Sequence, residues 1–470
     1  FVNGVRCRVG GNHLNLATGE SFVNPEVTPP PPVMNVLSRE LQAQLKKNKY
    51  PFKCKRFNTK KKKNTEKTGE EKNDSSADVQ METDGVSASS LRATITTTTD
   101  YSPLPEKRKL IDFRNKVYVA PLTTVGNLPF RRIMKRFGAD ITCGEMAVAT
   151  HLLEGKQPEW ALLKRHPEED VFGVQIAAGY PDQYTRVCEV LEANATVDFV
   201  DLNLGCPLDM ICKKGAGAFL MKRSNKLREC LEGITSTLSC PITIKMRTGW
   251  DEGHPFAHKL VPEIQSWGIE GISAIMIHGR SRLQRYSRYA DWDYISQVAM
   301  SQSDKLDKIP LIGNGDIFSY QDYEEKVARE GVEATAMLAR GALIKPWLPT
   351  EIKERRDWDI SASERLDILK DFVKFGLGHW GSDQMGVNLT RRFLLEWLSF
   401  LYRYVPVGLL EVLPQQMNQR PPPFMCGRSD LETLMLSDHC ADWIRITEML
   451  LGPVPEGFDF EPKHKANGYK

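Results

Sequence analysis

Residues 198 to 207 read DFVDLNLGCP, and the fold follows from them. Phe199, Val200 and Leu202 form a short apolar run of the kind that makes a buried strand, and the run ends in a Gly-Cys-Pro loop carrying Asn203 and Cys206. Parallel barrels build their active sites in this way, from polar groups on the loops at the C-terminal ends of strands. Taken alone, Cys206 is open to three readings: a reactive thiol, a metal ligand or a small buried hydrophobe.

The same pattern recurs outward from this strand. Apolar runs at 117 to 120, 139 to 142, 171 to 176, 198 to 202, 242 to 245, 272 to 278, 310 to 313 and 335 to 339 alternate with amphipathic stretches. Examples of the latter are Pro129 to Phe137, Pro181 to Glu192, Asn225 to Leu238 and Tyr320 to Arg329. Eight such units in about 240 residues predict an α/β fold, a TIM (β/α)8 barrel. Beyond Trp347 the strand signal ends and helical periodicity takes over. Ser361 with Glu364 forms a capping box that opens a helix, and Gly381 can close it. A second helix is expected over Asn388 to Tyr404, with Leu389, Phe393, Leu394, Trp397, Leu398 and Leu401 on one face and Arg391, Arg392 and Arg403 offset from it. A third covers Leu431 to Leu451, after a Pro-rich loop at Pro421 to Pro423. Together they predict a small all-α domain.

The net charge of +3 hides an asymmetry. Between Lys46 and Lys67 stand eleven basic residues, opposed by Glu66 alone. The block reads as an arm that binds a polyanion, as a nuclear localisation signal, or as a merely solvated run. Asn73 to Thr99, rich in Ser, Thr, Asp and Gly, reads as a flexible linker. Cys7 and His13 are spaced C-x5-H; a structural zinc site needs four ligands, so the pair is either the tail of a truncated finger or accidental. Starting at Phe1 rather than Met, the chain reads as a fragment. The expected division is therefore 1–34 zinc-finger remnant, 35–109 basic linker with a helix near Val36 to Lys46, 110–355 barrel and 356–470 helical domain. Ten cysteines without a dense framework favour a reducing compartment, and with the lysine run they suggest cytoplasm and nucleus. No apolar run approaches the roughly 18 residues of a membrane helix, so no membrane partner is expected.

The residues after each strand form a consistent set. They are Pro121, Leu122 and Thr123; Cys143 to Met146; Gln175; Asn203 and Cys206; Lys245 and Arg247; His278 and Arg280; Asn314, Gly315 and Asp316; and Arg340 with Gly341. The turns GNGD (313–316) and ARGA (339–342) follow strands seven and eight, where barrels expose backbone N–H groups to a phosphate. A phosphate-bearing cofactor is expected there, with Lys245 and His278 pointing toward it, although each of these two alone also reads as structural. Gly215-Ala216-Gly217 lacks the strand-turn-helix context of a dinucleotide fold, so a flavin mononucleotide suits the single phosphate site better.

These residues also resemble a known family. APLT (120–123), VQIA (174–177), DLNLGCP (201–207), KKGAG (213–217), IKMRTG (244–249), HGRSRLQRYSRYADW (278–292), GNGDI (313–317) and ARGAL (339–343) resemble the tRNA-dihydrouridine synthases, over roughly Leu110 to Leu451. CGEMAVAT (143–150), TRRFLLEWLSFLYRYVPVGLLE (390–411) and the Cys-His remnant ahead of a basic linker are similar to the eukaryotic third subtype, which acts on the variable-loop uridine at tRNA position 47 and carries CCCH fingers.

The resemblance implies reduction of uridine to 5,6-dihydrouridine, with FMN recharged by NADPH. By similarity FMN would contact Pro121, Leu122, Thr123, Gln175, Lys245, His278, Asn314, Gly315, Asp316, Ala339 and Arg340. Ala339 stands where many relatives have glycine, a departure in the phosphate turn. Hydride would pass from flavin N5 to uracil C6 while Cys206, largely protonated at its ordinary pKa of about 8.5, protonates C5. A buried target base must be flipped out at a cost of a few kcal/mol, which cations help to offset. RNA contacts are expected from Lys213, Lys214, Arg280, Arg282, Arg285, Arg288, Arg391, Arg392 and Arg403; Asn203 either holds the base or flavin or stabilises its own turn. Zinc would be confined to Cys7 and His13. The expected partner is tRNA, bound by a monomer, with messenger RNA left open as a second substrate. Two rival functions stand beside this one: an FMN barrel reducing a small molecule, and an RNA-binding protein with an inactive barrel. The basic arm and helical domain argue against the first, and the intact Cys206, Lys245 and His278 against the second.

Overall fold

The computed structural model describes residues 32–54, 109–332, 335–416 and 418–463. Cys7, His13, most of the basic run and the Asn73 to Thr99 linker lie outside them. Nine parallel strands are present: β1 (Tyr118–Val119), β2 (Ile141–Cys143), β3 (Ala147–Val148), β4 (Val171–Ala177), β5 (Phe199–Leu204), β6 (Ile242–Arg247), β7 (Ile272–His278), β8 (Leu311–Asn314) and β9 (Ala336–Leu338). β1 pairs with β2 and with β9, and β2 pairs with β4, so eight strands close into the expected barrel. Each apolar run of the sequence supplies one of them. The extra strand, β3, takes over from β2 against the C-terminal end of β4, pairing Ala147 with Ile176. Phe113, Tyr118 and Phe199 pack edge to face or tilted inside the barrel.

The helical region forms Ala362–Trp380, Gln384–Leu401, Asp430–Leu436 and Cys440–Leu451. The Ser361–Glu364 capping box is present, and Gly381, at φ +108°, ends the first helix. The second helix starts earlier than its apolar face suggests because Asp383 caps it, accepting from the Gly386 N–H at 2.8 Å. The single helix expected over 431 to 451 is instead two. Ser437 is extended and its carbonyl accepts the Trp443 indole N–H at 2.8 Å, which turns the chain between them. Trp397 is fully buried, packs on Phe130 at 5.4 Å and donates its indole N–H to the Leu343 carbonyl. Burial of such a ring contributes about 3 kcal/mol and joins the helices to the barrel in one core.

The segment 32–54, divided in the sequence reading between the finger remnant and the linker at residue 34, packs on the barrel. Met34 bridges Arg165, and Asn35 donates to the Leu163 carbonyl at 3.0 Å while accepting the Thr196 N–H at 2.7 Å. The helix Arg39–Lys46 buries Leu41 and Leu45 against the core. Its apolar i, i+4 pair was the signal for a helix; the partner surface was not legible from charge. No helix among the described residues is long and apolar enough to cross a membrane.

Candidate active site

The loop after β5 is oriented by a buried chain of hydrogen bonds. Asp201, in the barrel interior, accepts from Thr243 Oγ1 and Gln175 Nε2, each at 2.6 Å. An ionised carboxylate only accepts, so the Gln175 amide must turn its nitrogen toward it and its oxygen away. That oxygen accepts Asn203 Nδ2 at 2.7 Å, which leaves Asn203 Oδ1 to accept the backbone N–H groups of Gly205 and Cys206 at 3.2 and 2.9 Å. Burial raises Asp201 to about 6. The sequence left Asn203 between a ligand-holding and a turn-stabilising role; its amide oxygen is engaged by the turn.

Cys206 is 9 % exposed and packs with Ile211 and Ala216, against Met146 and Val148. Burial raises its thiol pKa, while Arg247 and Arg282 oppose the rise. The thiol is therefore neutral at physiological pH. Two guanidiniums grip the peptide on either side of it: Arg247 Nε donates to the Gly205 carbonyl at 2.7 Å and Arg282 Nε to the Pro207 carbonyl at 3.1 Å.

Beside this loop, at the C-terminal mouth of the barrel, lies a cavity of about 140 Å³. A second crevice, between Trp347 and Trp443, offers only about 10 Å³ and no comparable polar lining. Four cations line the larger cavity, Lys245, Arg247, Arg280 and Arg340, against one carboxylate, Asp316. Asp316 accepts from Arg280 at 2.6 Å and from Arg340 at 2.8 Å and so fixes both side chains. Its own backbone is left-handed, at φ +54°, directly after Gly315 at φ +137°. This is the strained turn that a GNGD sequence permits. Lys245 donates to Asn314 Oδ1 at 3.4 Å, and burial with Arg247 holds it down to about 8. His278 is pushed well below its ordinary value by burial and the neighbouring cations, so it is neutral. Tyr286 stacks on it at 6.1 Å and lies under the Arg340 guanidinium at 4.3 Å.

Of the residues singled out in the sequence, Pro121, Leu122, Lys245, His278, Asn314, Gly315, Asp316, Ala339 and Arg340 line this cavity. Thr123 is exposed beside it, and Gln175 serves the Asp201–Asn203 chain instead. Ala339 has φ −131°, so nothing left-handed there asks for glycine. Arg280, expected on RNA, is fully buried in the cavity wall. Lys213, Lys214, Arg285, Arg288 and Arg392 are exposed. Arg391 is a correction: it is 3 % exposed and donates to Thr447 Oγ1 at 3.0 Å and to the Gly452 carbonyl at 2.8 Å. The last helix covers it, so it cannot reach RNA. Arg403 is likewise buried. Sequence reasoning missed Tyr286 and Phe318, and placed Arg247 at the end of its strand without giving it a cofactor role; the alternation of β6, which turns residues 245 and 247 to one side, was the available signal.

Residues 118–379 match the family model described as Dihydrouridine synthase (Dus). The chain is 50 % identical over 487 residues to "tRNA-dihydrouridine(47) synthase [NAD(P)(+)]-like" of Xenopus tropicalis, covering 100 % of this chain and 73 % of that protein. It is 52 % identical to the protein of the same description from Rattus norvegicus, covering 99 % and 74 %. With the one from Oryza sativa subsp. japonica it shares 55 % identity over 382 residues, 81 % of this chain and 54 % of that one. A closed parallel barrel, a neutral thiol held on the loop after β5 and a cationic cavity beside it accompany that match, and the chain belongs to the dihydrouridine synthase family.

Proposed function

We propose that this chain reduces uridine to 5,6-dihydrouridine in tRNA, at the variable-loop position 47, with FMN as its cofactor and NADPH as reductant. The cavity fits such a cofactor chemically. Lys245, Arg247, Arg280 and Arg340 exceed Asp316 in charge and suit a phosphate-bearing anion, while Pro121, Leu122, Ile317 and Met337 offer apolar wall to a ring. Bound there, FMN supplies the two-electron reduction of the uracil C5–C6 bond.

Cys206 is the proton donor to C5. Burial keeps its thiol protonated, which suits an acid and would hinder a nucleophile. Arg247 and Arg282 face the thiolate that remains after transfer and stabilise it, while the Asn203 turn keeps the donor in one place. His278, held neutral, adds no charge to the site but can donate one hydrogen bond. In this reading the barrel, 110–355, performs the chemistry. The helical region, 356–470, holds RNA through exposed cations such as Arg392, and Lys213, Lys214 and Arg285 do the same at the barrel mouth.

The observation that carries the reading is the neutral thiol of Cys206, one residue from Gly205 in the wall of a cavity with four cations. The purified protein is expected to be yellow, to release FMN on denaturation, and with NADPH to add two hydrogens to one uridine of an unmodified tRNA transcript. A colourless preparation that does not take up FMN, or an unchanged transcript, would contradict it.

A further inference from the structure

Leu208, Met210 and Leu283 are 51 %, 64 % and 56 % exposed, the first two on the segment that follows Cys206, where Met210 lies in the short helix Asp209–Cys212, and the third on the loop after β7. Large apolar side chains are exposed elsewhere too, among them Tyr286 and Tyr289 on the same loop as Leu283, and Val412, Leu413 and Phe424 in the helical region. Beside Cys206 the two segments are joined by Arg282. Its Nε donates to the Pro207 carbonyl, its guanidinium pairs with Asp209 and lies 4.2 Å from the centre of the Trp250 ring, and the Leu283 N–H donates to the Trp250 carbonyl at 3.2 Å. Lys222 lies over the same ring at 4.3 Å. The two segments that carry the three apolar side chains are thus tied to one another and to Trp250. A fixed apolar patch at the rim of an active site marks a surface that is covered in use.

Its surroundings indicate what covers it. Lys213 and Lys214 follow the short helix that carries Met210, and Arg285 follows Leu283, all exposed; Arg288, also exposed, pairs with Glu252. Exposed cations beside apolar side chains complement a polyanion that offers apolar faces, which is what a nucleic acid becomes where its stack is opened. Proteins that hold a base out of the stack commonly insert an aliphatic side chain where it was.

We propose that Leu208, Met210 and Leu283 form a wedge that enters the RNA stack beside the target uridine and keeps it extrahelical while Cys206 acts. The inference rests on the RNA-modifying reading above and assigns to these residues a role separate from affinity. The cations draw the RNA in; the wedge sets its conformation once bound.

The test uses a tRNA transcript carrying 2-aminopurine next to uridine 47, whose fluorescence rises when that base unstacks. Full-length holoprotein is used with Cys206→Ala, so that nothing turns over. The Cys206→Ala protein is expected to raise the fluorescence several-fold. Adding Leu208→Ser, Met210→Ser and Leu283→Ser should leave binding within about threefold, because the phosphate-contacting cations remain, yet abolish most of the rise. With Cys206 restored, the triple variant should lose about tenfold in kcat/KM on the folded transcript, as a weakened hold on a flipped base predicts. These positions are exposed, so thermal midpoints should match and a folding defect can be recognised. An undiminished rise in the triple variant overturns the wedge and leaves the patch to a protein partner. So does a more than tenfold loss of binding, which would make it an affinity surface, or the lack of any rise on binding of the Cys206→Ala protein. Failure of that protein to bind the transcript at low salt would remove the tRNA reading, and the wedge with it.

Discussion

Asn203 Oδ1 accepts the backbone N–H of Cys206 at 2.9 Å, and this bond fixes the Cys206 loop only because Gln175 and Asp201 fix the Asn203 amide. In Asn203→Ala the loop loses two acceptor bonds and Gln175 Oε1 is left unpartnered in the interior. A destabilisation of about 1–3 kcal/mol is expected from the orphaned group. Dihydrouridine formation by the folded fraction should fall about 10- to 100-fold, because the thiol is no longer held in line with its target. Thermal unfolding and turnover at a temperature where both proteins are folded separate the two effects. Unchanged turnover would make the chain of amides mere scaffolding.

Lys245 gives the site a pH dependence with a defined sign. Burial and Arg247 hold it down to about 8, from an ordinary 10.5. Below about pH 8 it is protonated in folded and unfolded chains alike, and the cost of the buried charge is present in full. Between about 8 and 10.5 the folded chain has released a proton that the unfolded chain keeps, so stability of the flavin-free protein rises with pH across that window. Lys245→Met should remove this slope and stabilise the flavin-free protein near neutrality by about 1–2 kcal/mol, a figure reduced for water in the cavity. Flavin affinity should behave oppositely, weakening as pH rises through about 8 in the native protein and staying flat in Lys245→Met. Titration of both proteins with FMN from pH 7 to 10 checks this; equal slopes would remove Lys245 from the anion site.

Arg391 and Arg392 are neighbours with opposite expectations. Arg391 is buried on Thr447 and the Gly452 carbonyl, so Arg391→Glu should cost about 3–5 kcal/mol of stability by leaving a buried charge without partners. Arg392 is exposed, so Arg392→Glu should leave the thermal midpoint unchanged and weaken tRNA binding more at low salt than at high. Filter binding at two salt concentrations and a melting curve for each variant decide the matter. A salt-dependent binding loss with unchanged stability in Arg391→Glu would show that the last helix does not cover it in solution.

Gly341 sits where a Cβ would come within 2.0 Å of the Ile317 carbonyl and 3.0 Å of Leu348 Cδ2. Gly341→Ala must push the turn after β9 away from the turn after β8, at an expected cost of about 1–3 kcal/mol. Because Arg340 precedes it in the cavity wall, bound flavin should fall together with the melting temperature. Full flavin content in a destabilised variant would separate the turn from the cofactor.

How much was legible in the sequence depended on the kind of signal. The eight strands were legible because a strand buried on both faces must be a continuous apolar run, and each run ended at a residue that now stands at the barrel mouth. Lys245, His278, Asn314, Gly315, Asp316, Ala339 and Arg340 followed from that rule; Tyr286 and Phe318, further along the loops after β7 and β8, did not. Coverage was not legible. Arg391 lies off the apolar face of its helix and reads as solvated, but a helix more than 50 residues later lies over it. The packing of residues 32–54 was hidden because their helix runs straight into the basic run, while Asn35 and the Leu41–Leu45 pair carry the contacts to the barrel. Arg282 reads as an RNA contact among several arginines. Its bond to the Pro207 carbonyl, 75 positions away, shows that it braces the Cys206 loop.

The central claim is that Cys206 donates the proton that completes uridine reduction. It is tested most directly by a single turnover: NADPH-reduced protein mixed without oxygen with an unmodified tRNA transcript, with dihydrouridine at position 47 read by mass spectrometry. The native protein should convert the site, and Cys206→Ala should bind flavin and tRNA as well yet lose conversion by about 100-fold or more, the contribution of a positioned general acid. Undiminished product from Cys206→Ala would contradict the account.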